Sequence, residues 1–351
     1  MKNRTLFSAS ALALLSLSLS ACGGGGTTTP PVVVTPDITP PSIVSVSPAV
    51  GAIGVAKTAS VVVTFSEAMN QSSAQAAFQS ADLGANTISW NTDGTVMTVK
   101  PNAELAYTAL GKSYSFSVSN TATDVKGNAL SNPASTSSFK TFRQLSSSLP
   151  IKAGTVGEID NAQTIKPINF DIEVGDQTDN TSRRGFVGFD LSSLPTDLVP
   201  ANVLSAQVRM FVNSPINGSP FSKLFPSCTG KFCILQNKSV VLDHVAYGNT
   251  VSGSVYNIPA IPGSDPTGLT DETPCGGAII ICLFKGTSTG WNLGNVTPWV
   301  QDDLSNRAAR GNLTEVRMSF PLATNADGKA DNIDISNSTN KAQLTVTYLM
   351  P

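Results

Sequence analysis

From Ser42 to the end of this 351-residue chain, short runs alternate apolar and polar residues and are cut apart by Gly, Pro and Asn/Asp turns. A period of two sends successive side chains to opposite faces, so such runs build strands with one buried face rather than helices. In the first part they are 43–47, 60–65, 88–90, 96–99 and 114–118. Further on, 186–190, 206–212, 240–245, 316–320 and 342–348 repeat the pattern. Asn91-Thr92-Asp93-Gly94 between Trp90 and Val96 reads as a hairpin, because Asp-Gly tolerates the positive φ of tight turns. One helix is expected: Thr297 can cap it, Pro298 suits its first position, Val300, Leu304 and Ala308 recur at helical spacing, and Gly311 ends it. With 28 Gly, 22 Pro and 13% charged residues, the expected class is all-β: an Ig-like β-sandwich plus a larger jelly-roll-type β-sandwich with one short helix.

The N-terminus has a different character. Lys2 and Arg4 precede an apolar stretch from Leu6 to Leu19, and Leu19-Ser20-Ala21-Cys22 closes it with small residues before a cysteine. The stretch suits a cleaved export signal and is short for a spanning helix. At these residues the chain resembles a bacterial lipoprotein signal. The resemblance implies removal of residues 1–21, acylation of Cys22, and export with the membrane as partner through several acyl chains, since one chain anchors weakly. Gly23 is not the aspartate associated with inner-membrane retention, so the outer membrane is the expected location. Residues 22–41, Gly-rich and then Thr/Pro-rich, form a tether that cannot build a core. Cleavage removes two of the 22 Lys+Arg and no acid; 20 then face 24 Asp+Glu, a formal charge of −4 that does not attract nucleic acid.

The other four cysteines, Cys228, Cys233, Cys275 and Cys282, form an even set, and an exported chain would oxidise them to disulfides. Three pairings are open, local or crossed. Zinc is the alternative reading, although neither pair shows the two-residue gap of a zinc knuckle.

Two further resemblances divide the mature chain. Ser47-Pro48-Ala49, Gly54-Val55, Thr64-Phe65-Ser66-Glu67-Ala68-Met69, the Trp90 hairpin and Asp124-Val125-Lys126-Gly127-Asn128 resemble the SbsA-type bacterial Ig-like domain, placed at residues 42–143. That family implies a spacer in a surface protein. Residues 143–150 read as a polar hinge. Beyond them, Arg184-Gly185-Phe186-Val187-Gly188-Phe189-Asp190-Leu191, Val203 to Met210, Trp291 to Val300 and the closing strand 342–348 resemble the DNRLRE-type domain over residues 150–351. Members of that group include carbohydrate-binding modules for acidic polysaccharide, which implies a glycan partner here.

Candidate sites are few. Arg183, Arg184 and Arg209 lie in the family-like strands and could fork onto carboxylates, and Trp291 and Trp299 could stack on sugar rings or serve as core. Asn325, Asp327, Asp331 and Asn332 surround Gly328 in a loop with some features of a calcium site, as do residues 175–180; an Asn/Asp-rich turn is the plainer reading. No cofactor is required, and a structural calcium is the one metal considered. The single histidine, His244, follows Asp243 in a strand, where the two point to opposite faces; a partly exposed strand histidine is expected and most His-based catalysis is disfavoured. The expected protein is a non-enzymatic, lipid-anchored envelope protein presenting a polysaccharide-binding sandwich on an Ig-like spacer. The alternative is a structural or protein-adhesive surface lipoprotein, and the third reading a divergent polysaccharide-acting enzyme.

Overall fold

Val61, Val63 and Phe65 are buried while Val62 and Thr64 between them are not, which is the alternation of a strand with one face in a core. The computed structural model describes residues 36–166, 171–213, 240–271, 290–338 and 340–351, so Cys22, Cys228, Cys233, Cys275 and Cys282 lie outside the described residues. No helix among the described residues is long and apolar enough to cross a membrane. Pro40–Pro351 form one compact unit that holds two strand systems.

The first system packs two antiparallel sheets. One has strands β1 (Ile43–Ser47), β2 (Val61–Phe65), β4 (Asn86–Trp90) and β5 (Val96–Pro101) in the order β1-β2-β5-β4. The other places β6 (Ser113–Val118) between β3 (Phe78–Gln79) and β7 (Ala134–Lys140). Val61, Val63, Phe65, Met97 and Val99 of the first sheet share a core with Tyr114, Phe116 and Phe139 of the second. The expected hairpin joins β4 and β5: Gly94 has φ +67°, and the Asn91 side chain accepts from the amides of Thr95 and Val96. Asp124 closes another turn. It is fully buried, and its Oδ1 accepts from the amides of Lys126 (2.7 Å) and Asn128 (2.8 Å) while its Oδ2 accepts from Asn128 Nδ2. A helix that the sequence pattern does not announce, α1 (Gln71–Ala77), starts at Asn70, whose side chain accepts from the Ser73 amide as an N-cap.

Residues 143–150 are not a hinge. Arg143–Leu149 is β8, paired over its whole length with β20 (Gln343–Met350), two residues after β7 ends. Side chains such as Ser146 and Ser148 gave no apolar signal, and the pairing depends on a strand some 200 residues away. At this junction Arg143 Nε donates to the Pro351 carbonyl at 2.9 Å, and Tyr107 meets Phe142 edge to face.

The second system is one 13-stranded sheet curled over itself, in place of two separate sandwich sheets. One half comprises β9 (Gly157–Asp160), β10 (Ile165–Lys166), β12 (Ser182–Asp190), β14 (Val241–Val245), β15 (Thr267–Gly268) and β18 (Leu313–Ser319), in the order β10-β9-β12-β18-β14-β15. The other half runs β8-β20-β13-β17-β16, with β13 at Val203–Val212, β16 at Thr270–Asp271 and β17 at Gly290–Asn295. β11 (Asp171–Asp176) and β19 (Asp331–Ser336) connect them, β11 pairing β12 and β19 touching β13 at Val212. Phe189, Val316 and Leu242 from one half meet Met210, Leu344 and Val346 from the other in a single core. The halves approach closely: a Cβ at Gly294 would lie 2.6 Å from Leu242 Cδ1. Truncating one such core Leu to Ala costs roughly 2–5 kcal/mol.

The expected helix is α2 (Thr297–Ser305), with Pro298 in its first turn. Val296, not Thr297, is its N-cap, and the Thr297 hydroxyl instead bonds the Ala206 amide of β13. The helix stops at Ser305 and turns carry the chain on to Gly311, at φ +62°.

Candidate functional site

Strand alternation decides which residues of the second sheet can meet a ligand. On β13, Val208, Met210 and Val212 are fully buried, so Gln207, Arg209 and Phe211 project from the outer face. The register sets Gln207 between Asn295 and Thr345, Arg209 between Leu293 and Gln343, and Phe211 beside Trp291. Ser148 on β8 extends the Thr345 row. The result is a sheet face carrying hydroxyls, amides, one guanidinium and two aromatic rings.

Arg209 and Trp291 are brought together. The guanidinium carbon lies 4.1 Å from the Trp291 ring centroid, and Phe211 meets the same ring edge-on at 5.3 Å. The quadrupole of an indole face attracts a cation, by about 0.5–1 kcal/mol at an exposed site. Trp291 therefore supports Arg209 and orients its charge.

Gln343, opposite Arg209, also lines a groove of about 620 Å³ with Ser148, Lys152, Asn337 and Lys341. Leu149, Ile151 and Ala342 form its apolar floor. Lys152 is half committed to Asp190, at 3.2 Å. Lys341 has no ion pair among the described residues. The groove thus adjoins the sheet face at Gln343 and is lined by two lysines as well as apolar side chains. Lys341 and Gln343 had no motif to mark them, although the alternation of the closing strand already put Gln343 outward.

The other predicted residues lie elsewhere. Arg183 and Arg184 are on β12, in the opposite half of the sheet from Arg209. Arg183 bonds Glu158 at 2.8 Å and also Glu173, so its charge is spent on two carboxylates. Arg184 lies over the Tyr256 ring at 4.3 Å and donates to the Tyr256 carbonyl, pinning the loop that covers Ile159 and Phe186. Trp299 is 2% exposed, a core residue rather than a sugar platform; its Nε1 donates to the Asp265 carbonyl.

The two Asn/Asp loops join each other. Asp176 pairs with Asp331 across β11 and β19, and its carboxylate accepts from the amides of Asp331 (3.1 Å) and Asn325 (3.3 Å). Asn325 Nδ2 donates to Asp331, Asp327 accepts from the Lys329 amide, and Asn180 accepts from the Gly328 amide. Asp331 and Asn332 are buried while Asp327 is exposed. A hard cation takes six to eight oxygens; here most of these oxygens already close the double loop by hydrogen bonds.

His244 is buried rather than partly exposed, and, as strand alternation implies, it is not paired with Asp243. It is 1% exposed, and its acidic partner is Asp303 of α2, 59 residues on. Asp243 pairs instead with Arg317, at 2.8 Å. His244, Asp302 and Asp303 bring potential metal ligands within 4.8 Å of one another, but Arg310 stands in the same cluster, 3.0 Å from Asp302 and 3.5 Å from Asp303. Its fixed positive charge occupies the role a metal would fill. Next along β18, Glu315 is buried and accepts from the amides of Tyr247 and Gly248; burial pushes its carboxyl up to about 7.

Residues 37–141 match the bacterial Ig-like domain family. The first strand system is thus an Ig-like domain, and the remaining strands lie beyond the matched segment. No curated protein matches this chain. Among solved structures, the N-terminal part of the bacterial S-layer protein SbsC is similar at 16% identity over 44% of this chain and 41% of its own, with a TM-score of 0.22. A complex of the LD transpeptidase LdtMt1 with imipenem follows at 14% identity, covering 46% and 70%, TM-score 0.21. SGBP-B from a complex xyloglucan utilization locus in Bacteroides uniformis aligns over 88% of this chain and 72% of its own, at 13% identity and TM-score 0.21. TM-scores this low decide neither fold nor role.

Proposed function

We propose that this chain is an exported, lipid-anchored envelope protein whose curled sheet binds acidic polysaccharide and whose Ig-like domain is the spacer that presents it. The observation that carries the reading is the Arg209–Trp291 stack beside the groove holding Lys341 and Gln343. A carboxylated sugar offers planar anions for the guanidinium fork, hydroxyls for Gln and Ser side chains, and apolar ring faces for a floor of Leu149 and Ile151. Anchoring through Cys22 and an outer-membrane address rest on the signal-like N-terminus.

The test is affinity electrophoresis and calorimetry against alginate, polygalacturonate and neutral dextran. Binding to the uronates alone, weakened about tenfold or more in Arg209→Ala and Lys341→Ala, is the expected result; tenfold corresponds to about 1.4 kcal/mol. Equal retardation by dextran, or no binding to any of the three, removes the reading and leaves a structural or protein-adhesive surface protein. Metabolic labelling with a palmitate analogue, lost in Cys22→Ser, tests the anchor.

A further inference from the structure

We propose that Ser264, His244 and Asp303 form an activated-serine site that acts on short-chain carboxylic esters, an activity independent of the glycan-binding face. Ser264 Oγ lies 2.9 Å from His244 Nδ1, and the opposite ring nitrogen, Nε2, lies 3.0 Å from both carboxylate oxygens of Asp303. A nucleophile, a base and a group that orients the base are thus in one line, the arrangement by which a serine hydroxyl is activated.

The proposal places the ring proton on Nε2, facing the Asp303 carboxylate, which leaves Nδ1 to accept from the Ser264 hydroxyl. Trp299 lies parallel to the imidazole with centroids 5.3 Å apart, Thr314 Oγ1 donates to Asp303 at 2.7 Å and so holds the ring's acidic partner, and β14 holds the backbone. The serine is placed as deliberately. Ile261 donates to the His244 carbonyl at 2.8 Å, and the chain then turns through Pro262 and Gly263 (φ +82°) so that the Ser264 amide reaches back to the Ile261 carbonyl at 3.1 Å. On the far side the Asp265 carbonyl is held by Trp299 Nε1. His244 and Asp303 are each 1% exposed, whereas Ser264 is only half-buried. Base and orienting acid are therefore dry and the nucleophile alone reaches the surface, where a compact acyl carbonyl can approach it without entering the core.

In the reaction, Ser264 Oγ adds to the ester carbonyl carbon as its proton passes to His244 Nδ1. The carbon–oxygen bond to the alcohol breaks, and the alcohol leaves with that proton. Water repeats the sequence on the acyl-serine and releases the carboxylic acid. Ser264 and His244 are the catalytic residues, and Asp303 is a positioning residue.

The full-length protein would be treated with a fluorescent fluorophosphonate and mapped by peptide mass, with p-nitrophenyl acetate turnover followed in parallel. The expected result is a single label on Ser264, absent in Ser264→Ala and slowed roughly 100-fold in His244→Gln. Folded wild-type protein that takes no label at Ser264 overturns the proposal, as does labelling that is as fast in His244→Gln. Ser264→Cys supplies a second test that leaves the buried pair intact. Its thiol should alkylate with iodoacetamide at pH 6 at least tenfold faster than a free cysteine thiol; an ordinary rate also overturns the assignment.

Discussion

The Arg209 guanidinium rests on one side of the Trp291 indole while the Phe211 ring meets that indole edge-on, so a surface charge is braced by two aromatic side chains. Removing the brace should leave the charge present but undirected. Trp291→Ala is expected to weaken uronate binding about three- to tenfold, chiefly as faster dissociation, with the melting temperature almost unchanged because Trp291 is only half-buried. Calorimetry with surface-resonance kinetics checks this. Unchanged affinity in Trp291→Ala beside a large loss in Arg209→Ala would show that the brace is not needed.

Glu315 gives the protein a pH signature. Burial raises its carboxyl from 4.5 to about 7, so the folded state binds this proton more tightly than the unfolded chain does. Its contribution to stability is fully present below pH 4.5 and is lost as pH rises through about 7. Glu315→Gln keeps an oxygen for the Tyr247 and Gly248 amides but removes the titration. The variant should match wild type at low pH and melt at a higher temperature at pH 8. Parallel melting curves from pH 5 to pH 8 would contradict the assignment.

Gly175 cannot carry a side chain. Its φ is +127°, and a Cβ there would sit 2.2 Å from the Asp331 carbonyl oxygen on the paired strand. Gly175→Ala must therefore open the β11–β19 ladder and is expected to cost about 3 kcal/mol or more. Gly84, at φ +63° with open space around it, is the control, where Ala should cost about 1 kcal/mol. Urea unfolding of the two variants compares them directly, and equal costs would refute the crowding argument.

Asp124→Ala tests the buried turn of the Ig-like domain. It removes the acceptor for two backbone amides and the Asn128 side chain inside a buried site, for an expected loss of roughly 2–4 kcal/mol. Asp124→Asn, which retains one acceptor oxygen, should lose less. A denaturant midpoint for Asp124→Ala within error of wild type would mean that solvent satisfies those amides.

The strands legible in the sequence were those whose alternation reflects burial on one side, such as β2, β5, β13 and β20. β9 was hidden for the opposite reason. All four residues of Gly157-Glu158-Ile159-Asp160 are buried, and its two acids are there because Arg183 and Lys166 reach them, so charge stands where an apolar residue would signal a core. The seven residues of α1 carry no apolar stripe, and only its Asn70 cap marks them. In the candidate site, Arg209 and Trp291 could be named from their strands but not paired, because register is a property of two strands together. Strand alternation already set His244 apart from Asp243, but its partners Asp303 and Ser264 come from a helix and a turn that only the folded chain places around the ring.

The bond between Arg143 Nε and the Pro351 carbonyl has a topological consequence. β8 begins at Arg143 and pairs with β20, which ends one residue before Pro351, so the strands that open and close the curled sheet lie side by side directly after β7. A segment fused after Pro351 would therefore start beside Arg143 and Gly54, next to the strands of the Ig-like domain.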